Sequence, residues 1–547
     1  VKTQLFLHLL LGTLLFPVIY AQDPFKKGED SLAVENVRIE SMRVQEKPEL
    51  NLPQPDNKFV KPDLNFKDRF APLQFALPQA SVLIPPPLTS PLQDYSSRSF
   101  RVGGGRFATT VADFSWHNGR NKNVGWGIDA HHRGMAKGFQ PYTEFLSHQV
   151  NGHLNWYKNQ FVLGVVSEFN QADYHHYGDP LLAIVLDQQL RTRRNWVRMN
   201  SAVSLKSNDP GANTSYLGEI RFRIWNDNLQ SQETNVSLKA EIDSRLKDNL
   251  SIQVAYEGIL GNYRYTTLSQ GSFFNHLKPV LRWKKDRADL KGGLGLNVYS
   301  AQIQQTAVYP YLLARYELLK DRMEVGGELT GGMQYQMIFN WIQENPYLDT
   351  LSTILPALDK YRAGVYVSGK WAKILSWKVS AYTRKTDRQA VYYSMPDRKG
   401  YFTVLYDTGF VQNGVRLDFQ LNQMKDFEAG GSIIYNDNQT GTVAKFFHQP
   451  AFRSEFFLSW WPVSKLKLTL RNYTFGRRYM GLDPALSPDA LVQAPAFSDL
   501  GIGAEYRFYK RFSLFLEANN LAAQSYERWY SYPERPLDFR GGLSVVF

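Results

Sequence analysis

From about residue 98 to the C-terminus, apolar and polar residues alternate with period two in segment after segment. In Lys465-Leu-Lys-Leu-Thr-Leu-Arg471 the leucines share one parity, and Lys467, Thr469 and Arg471 take the other. Glu219-Ile-Arg-Phe-Arg-Ile224 and Val236-Ser-Leu-Lys-Ala-Glu-Ile242 repeat the pattern. Successive side chains of a strand point to opposite faces, so each segment predicts a strand with one apolar and one charged face. The chain ends the same way: Phe539, Leu543, Val545 and the terminal Phe547 share a parity, with Arg540, Gly542 and Ser544 opposite.

Short polar turns recur between these segments, at residues 118–123, 158–160, 246–249, 284–287, 319–322, 425–426, 463–465 and 509–511. Longer connections rich in Tyr, Trp, Pro and Asn separate them. Short turns on one side and long loops on the other are the signature of an outer-membrane barrel, and soluble sandwiches lack that regular alternation. In such a barrel the apolar faces meet lipid, where a Lys or Arg at the midplane costs about 2–4 kcal/mol. Arg221, Arg223, Lys239, Glu241 and Lys467 are therefore expected to face the lumen.

Roughly 21 strand candidates can be marked, and single-chain bacterial barrels have even strand numbers. The missing strand is expected at Ser97-Arg-Ser-Phe-Arg-Val102, before a turn at Gly103-Gly-Gly105. The expected fold is all-β: a large antiparallel transmembrane β-barrel of about 22 strands, with 18–20 as the alternative. It spans residues 98–547 and follows an extended Pro-rich N-terminal segment.

The N-terminal part has a different texture. Lys2 precedes an apolar run over residues 5–20, and Ile19-Tyr-Ala21 offers a small-residue cleavage site, so residues 1–21 predict a secretory signal peptide. Residues 22–97 carry Leu52-Pro-Gln-Pro-Asp56, Leu83-Ile-Pro-Pro-Pro-Leu88 and Ser90-Pro91, which favour extended backbone over a packed core. Residues 37–46 alternate like a short strand that could pair with a periplasmic partner, although a solvated stretch is the plainer reading. Beyond the signal no apolar run is long enough for a helical span, although aromatic residues reach 14%. Aromatic richness without helical spans in an exported chain suits a membrane barrel.

The chain has no Cys, which excludes thiolate zinc sites and cysteine nucleophiles. Its net charge of +12 suits lipopolysaccharide, an anionic solute or an acidic partner. Nucleic acid is not an expected partner, because the basic residues are spread through strands rather than gathered in a stripe.

Phe515, Asn520-Leu521, Tyr526, Trp529-Tyr530 and Tyr532-Pro533, followed by the closing strand, resemble the last hairpin of TonB-dependent receptors. In that family an Asn-Leu pair ends the penultimate strand and a Tyr-containing loop leads into the last one. Glu344-Asn-Pro-Tyr-Leu348, with Lys360-Tyr361 and Gly364, looks like an extracellular loop of shorter receptor-like barrels. The resemblance implies an outer-membrane address read by the barrel-assembly machinery, with Phe539, Leu543, Val545 and Phe547 as the signal. It also implies solute passage across the outer membrane. The departure from the family is large, because residues 22–97 are too few and too Pro-rich for its N-terminal plug. A wide barrel then needs closing by inward-folded loops, by the N-terminal segment, or by a partner protein.

Candidate chemistry is thin. His131-His132 and His175-His176, placed on neighbouring loops, suggest a transition-metal site with Asp129 or Asp179 as a third ligand. Adjacent residues on a strand point apart, so polar loop or lumen residues are the plainer reading. Gly103-Gly-Gly-Arg106 lacks the Lys and helix of a phosphate loop, and no Gly-x-Ser-x-Gly nucleophile elbow accompanies the histidines. Neither enzymatic activity nor a cofactor is expected. The leading functional expectation is a plug-less receptor-like barrel for solute passage. Its alternative is a non-transport barrel anchoring a multiprotein outer-membrane complex through residues 22–97.

Overall fold

The computed structural model describes residues 98–547 except 119–122, 179–192, 210–211, 267, 351, 372–373, 396–397, 399, 425 and 483–490. The expected signal peptide and Pro-rich segment, including residues 37–46, lie outside the described residues.

The alternating segments pair in chain order into a 22-stranded antiparallel sheet. It closes when the first strand, Arg98–Gly105, pairs with the last, Asp538–Val546. Closure satisfies the backbone groups that an open edge would expose, which is the requirement for a sheet surrounded by lipid. The short hairpins Arg478–Leu482 with Leu491–Ala494, and Glu527–Trp529 with Tyr532–Pro533, sit in connections outside the main sheet.

One local expectation changes. Gly103, Gly104 and Gly105 continue the first strand, and the chain turns at Arg106–Ala108 instead. A Cβ on Gly103 would stand 2.7 Å from both the Gly541 carbonyl oxygen and the Phe515 ring, and one on Gly105 2.2 Å from the Phe539 carbonyl. These glycines let the first and last strands approach at the seam, so a run that reads as a turn serves close packing.

The expected turns that lie wholly within the described residues fall at the end of the barrel where Arg98 and Phe547 meet, with Phe547 N donating to Arg98 O at 2.8 Å. Asp286-Arg287 and Lys510-Arg511 are examples. The opposite end has tight turns too, such as residues 228–230 and 301–303, but it alone carries the long connections 335–356, 440–451, 476–496 and 520–537. One parity of the strands forms an exposed apolar wall that includes Ile220, Leu238, Leu260, Val308 and Val365. Trp156, Trp283, Trp371, Trp460 and Tyr509 stand out from the same wall near the turn end. Such aromatics suit a membrane interface, where a ring meets lipid and its polar edge meets water.

Candidate functional site

The other parity lines the interior and is held together by ion pairs. Arg221 Nε lies 2.9 Å from Glu219, and Lys239 Nζ 2.8 Å from Glu241. Arg282 pairs with Asp289 at 2.8 Å and Arg416 with Asp418 at 2.7 Å. Arg223 stands opposite Asn200 and Asn235, and Lys467 opposite Glu505 with its ammonium over the Trp461 ring. Acidic partners thus offset much of the basic charge expected along this face.

At the loop end, residues 335–356 turn inward. They join the strand Met323–Gln334 to Ala357–Trp371 and contain a short helix, Ile338–Glu344, whose Ile338, Phe339, Trp341 and Ile342 are buried. The Glu233 carboxylate accepts from Ile338 N at 3.3 Å and Phe339 N at 3.0 Å. It satisfies two amides that a helix start leaves without intrahelical partners. Asn345 and Pro346 then end the helix, since proline restricts the preceding residue to extended backbone.

The rest of the segment is tied to the barrel wall through its carbonyls. Arg194, fully buried and paired with Asp227 at 2.9 Å, donates to Leu348 O at 2.8 Å. Tyr174 Oη donates to Pro346 O at 2.9 Å, Tyr263 Oη to Thr350 O at 2.5 Å and Gln270 to Ile354 O at 2.7 Å. On the other flank, Tyr392 Oη donates to Glu344 at 2.8 Å, and Asp349 N donates to Phe402 O at 2.7 Å. Tyr406 Oη donates to Thr353 O and accepts from Leu355 N, each at 2.8 Å. Several of these donors are far away in sequence and stand on different strands, so the segment bridges the mouth rather than lying along one wall.

Aromatic rings from other connections meet on it. Tyr347 stacks on Tyr532 with centroids 3.4 Å apart, and Tyr177 packs edge-on against Tyr532 at 4.9 Å. Phe402 and His448 flank Trp529 at 5.6 and 4.9 Å, and His176 stacks on Tyr401 at 4.8 Å. Tyr532 Oη donates to Gly400 O at 2.5 Å. Edge-on and offset rings contribute about 0.5–1.5 kcal/mol per pair beyond burial itself, so this knot is a cohesive cap. Both ring nitrogens of His176 and of His448 are buried without a hydrogen-bond partner. Burial holds both imidazoles well below their ordinary value, in their neutral form. Burial also pushes the Glu344 carboxyl up to about 7, against the opposing hydrogen bond from Tyr392.

The histidines expected to act together are dispersed. His131 and His132 belong to the strand Val124–Met135, not to a loop. His131 faces inward, 2.8 Å from Asp113, which also pairs with Arg133 at 2.6 Å. His132 faces outward, beside Thr110 and His148. His175 ends the strand Phe161–His175, and His176 enters the aromatic knot. Asp129 engages His117 at 3.0 Å, and Asp179 lies outside the described residues. Among the described residues no group of three or more His, Cys, Asp or Glu is arranged to hold a metal. Period-two geometry separates sequence neighbours, as the strand pattern requires.

Sequence reasoning placed Glu344-Asn-Pro-Tyr-Leu348 in an extracellular loop and Tyr532 in the last hairpin without bringing the two together, and it missed Arg194, Glu233 and His448. A signal was present: Ile338-Phe-Asn-Trp-Ile342 is an apolar run inside a connection, which an outward loop would expose to water. In the final connection, Asn520 Nδ2 donates to Gln524 O and Arg535 O, and Tyr526 stacks on Phe497 at 3.8 Å while its hydroxyl donates to Asp499. The residues that carry the resemblance thus organise the loop that delivers Trp529 and Tyr532.

No family model matches the chain, and no curated protein matches it by sequence. Solved structures do. The FrpB iron transporter from Neisseria meningitidis (F3-3 variant) aligns with a TM-score of 0.65 and 10% identity, covering 83% of this chain and 82% of its own. The siderophore receptor PirA from Acinetobacter baumannii gives a TM-score of 0.66 and 10% identity over 84% of this chain and 81% of its own. The ferric-catecholate import receptor Fiu from E. coli K12 gives 0.63 and 9%, over 83% and 82%. At such identities the shared property is the fold, a closed 22-stranded antiparallel β-barrel.

Proposed function

We propose that this protein passes a solute across the outer membrane through a barrel whose outer mouth is closed by its own loops. The observation that carries the reading is the bridging of the mouth by residues 335–356, tied to the wall by Arg194, Tyr263, Gln270 and Tyr392. The apolar outer wall and charged inner wall support a membrane position with a wet lumen. In this reading the chain reaches the membrane by the signal over residues 1–21, and the assembly machinery reads Phe539, Leu543, Val545 and Phe547. Lipopolysaccharide surrounds the loop end, and residues 22–97, periplasmic or lumenal, do not supply a classical plug.

The solute class is anionic. Arg221 and Arg223, with Arg198 on the neighbouring strand, outnumber the Glu219 and Glu168 that pair with them on the inner wall below the bridging segment. Lys239 and Lys467 add to the field along the conduit, with Glu241 beside Lys239. The structural neighbours described as iron and siderophore receptors make a negatively charged metal chelate a natural candidate.

Planar-bilayer recording tests the proposal. Full-length protein is expected to conduct little, and replacing residues 338–353 with a short Gly-Ser link is expected to open a large, persistent, anion-preferring conductance. Gln at both 221 and 223 should lower the anion preference of the opened barrel. A linked variant as closed as the parent would sink the loop-closure reading. The same recording without residues 22–97 would then show whether that segment blocks the lumen. A stoichiometric protein recovered with the chain from native membranes would instead favour the anchoring role.

A further inference from the structure

We propose that His132 and His148 form a two-histidine site for an exchangeable divalent transition metal on the outer wall of the barrel. The two residues are direct register partners on the strands Val124–Met135 and Phe145–Tyr157. Both share the parity of the exposed Ile128, Leu146 and Val150, so their rings stand on the outer face near the loop end. This is a different pairing from the sequence neighbours His131 and His132, which face opposite ways.

The spacing is the one a shared metal ion requires. The two Nδ1 atoms are 3.3 Å apart, with ring centroids 4.9 Å apart. Two nitrogens each about 2.0–2.1 Å from one tetrahedral ion stand about 3.3–3.4 Å from each other. A second observation points the same way. His132 Nε2 lies 2.9 Å from the Thr110 hydroxyl. When Nε2–H donates to that oxygen, Nδ1 keeps its lone pair and is aimed at His148. Ligating imidazoles are oriented by such an outer partner on the other nitrogen.

Gln171 is the register partner of His148 on the next strand and shares its face, so its amide oxygen is a candidate for a third donor. The neighbouring carboxylate, Asp173, is engaged by Arg193 at 2.8 Å. Two imidazoles with water in the remaining positions select copper, nickel or zinc over magnesium or calcium. Open positions make the ion exchangeable rather than a permanent structural element.

The test is a titration of purified, metal-free, full-length protein in detergent with Cu²⁺, followed by electron paramagnetic resonance. The expected result is a bound copper with hyperfine splitting from two nitrogens. His132→Leu and His148→Leu should each abolish that signal, and leucine on the lipid-facing wall keeps the barrel folded, as heat-modifiable gel migration would verify. His148→Gln gives the same readout with a polar side chain. His131→Gln should leave the signal intact, because that ring faces inward toward Asp113. Thr110→Val should weaken binding by about tenfold or more through loss of the orienting contact. The proposal is overturned if the parent binds copper no better than the His132→Leu/His148→Leu double variant, or if His131→Gln removes the two-nitrogen signal.

Discussion

The two ends of this barrel are built from the same strands and meet different demands. At the turn end, Asp286-Arg287 and Lys510-Arg511 reverse the chain within the span of a local backbone geometry, and the outward tryptophans need only reach an interface. At the loop end, Arg194 must find the carbonyl of Leu348, and Tyr347 must find Tyr532. The first end is set by neighbours in sequence, and the second by contacts that exist only once the sheet has closed. Strength therefore sits in different places: in the ladder at one end, and in buried aromatic and polar contacts at the other.

The sharpest way to break this contrast is Arg194→Leu. It leaves Asp227 buried without its partner and removes the donor to Leu348 O. Breaking such a pair costs about 3–5 kcal/mol. The loop end should open, seen as frequent channel openings and protease cleavage within residues 335–356, while heat-modifiable migration of the barrel stays normal. An unchanged cleavage pattern would mean that the two ends are not energetically separate. Tyr347→Ala comes next, with a cost of about 3 kcal/mol from the lost ring, read in the same assays.

Acidity offers a third test. Burial raises the folded-state Glu344 carboxyl to about 7 from an ordinary 4.5. Docking of the segment is therefore favoured most below the ordinary value and weakens as pH rises from there to about 7, by an amount on the order of 3 kcal/mol. Glu344→Gln should remove that weakening. His176 and His448 act in the opposite sense. Their depressed values mean that docking is supported above about 6.5 and lost as pH falls toward the folded values. The two effects overlap below about pH 7 and oppose one another, so comparing cleavage rates across pH 4.5–8 in the parent and in Glu344→Gln separates them, and identical profiles would refute the assignment.

Tyr532→Phe should be milder, about 0.5–1.5 kcal/mol, since it loses only the hydrogen bond to Gly400 O and keeps the stack. The smallest effect is expected at the other end. Asp286 sits at φ +48°, a region glycine adopts freely, so Asp286→Gly should change the unfolding free energy read from urea titration by less than about 1 kcal/mol and leave conductance unchanged.

Much of the wall was legible in the chain. The parity of Ile220 and Arg221, or of Leu238 and Lys239, is a property of consecutive residues, and the even strand number completes a count that local patterns left one short. Gly103-Gly-Gly105 misled because the same composition serves a turn and a close approach of two strands, and only the partner strand tells which. The histidines misled for a related reason. Adjacency in sequence suggested His131 with His132, whereas strand pairing joined His132 to His148.

By itself the sequence determined the strands, their number and the two faces of the wall, because a period-two pattern acts residue by residue and lipid penalises every misplaced charge. Tertiary structure alone decided that residues 335–356 turn inward, which rings meet at Tyr347, and which histidines share a face. Those outcomes depend on closing the sheet between Arg98–Gly105 and Asp538–Val546. Closure brings connections that are far apart along the chain to one mouth, where burying Trp341, Tyr347 and Tyr532 together removes from water an apolar surface that none of their own loops could cover.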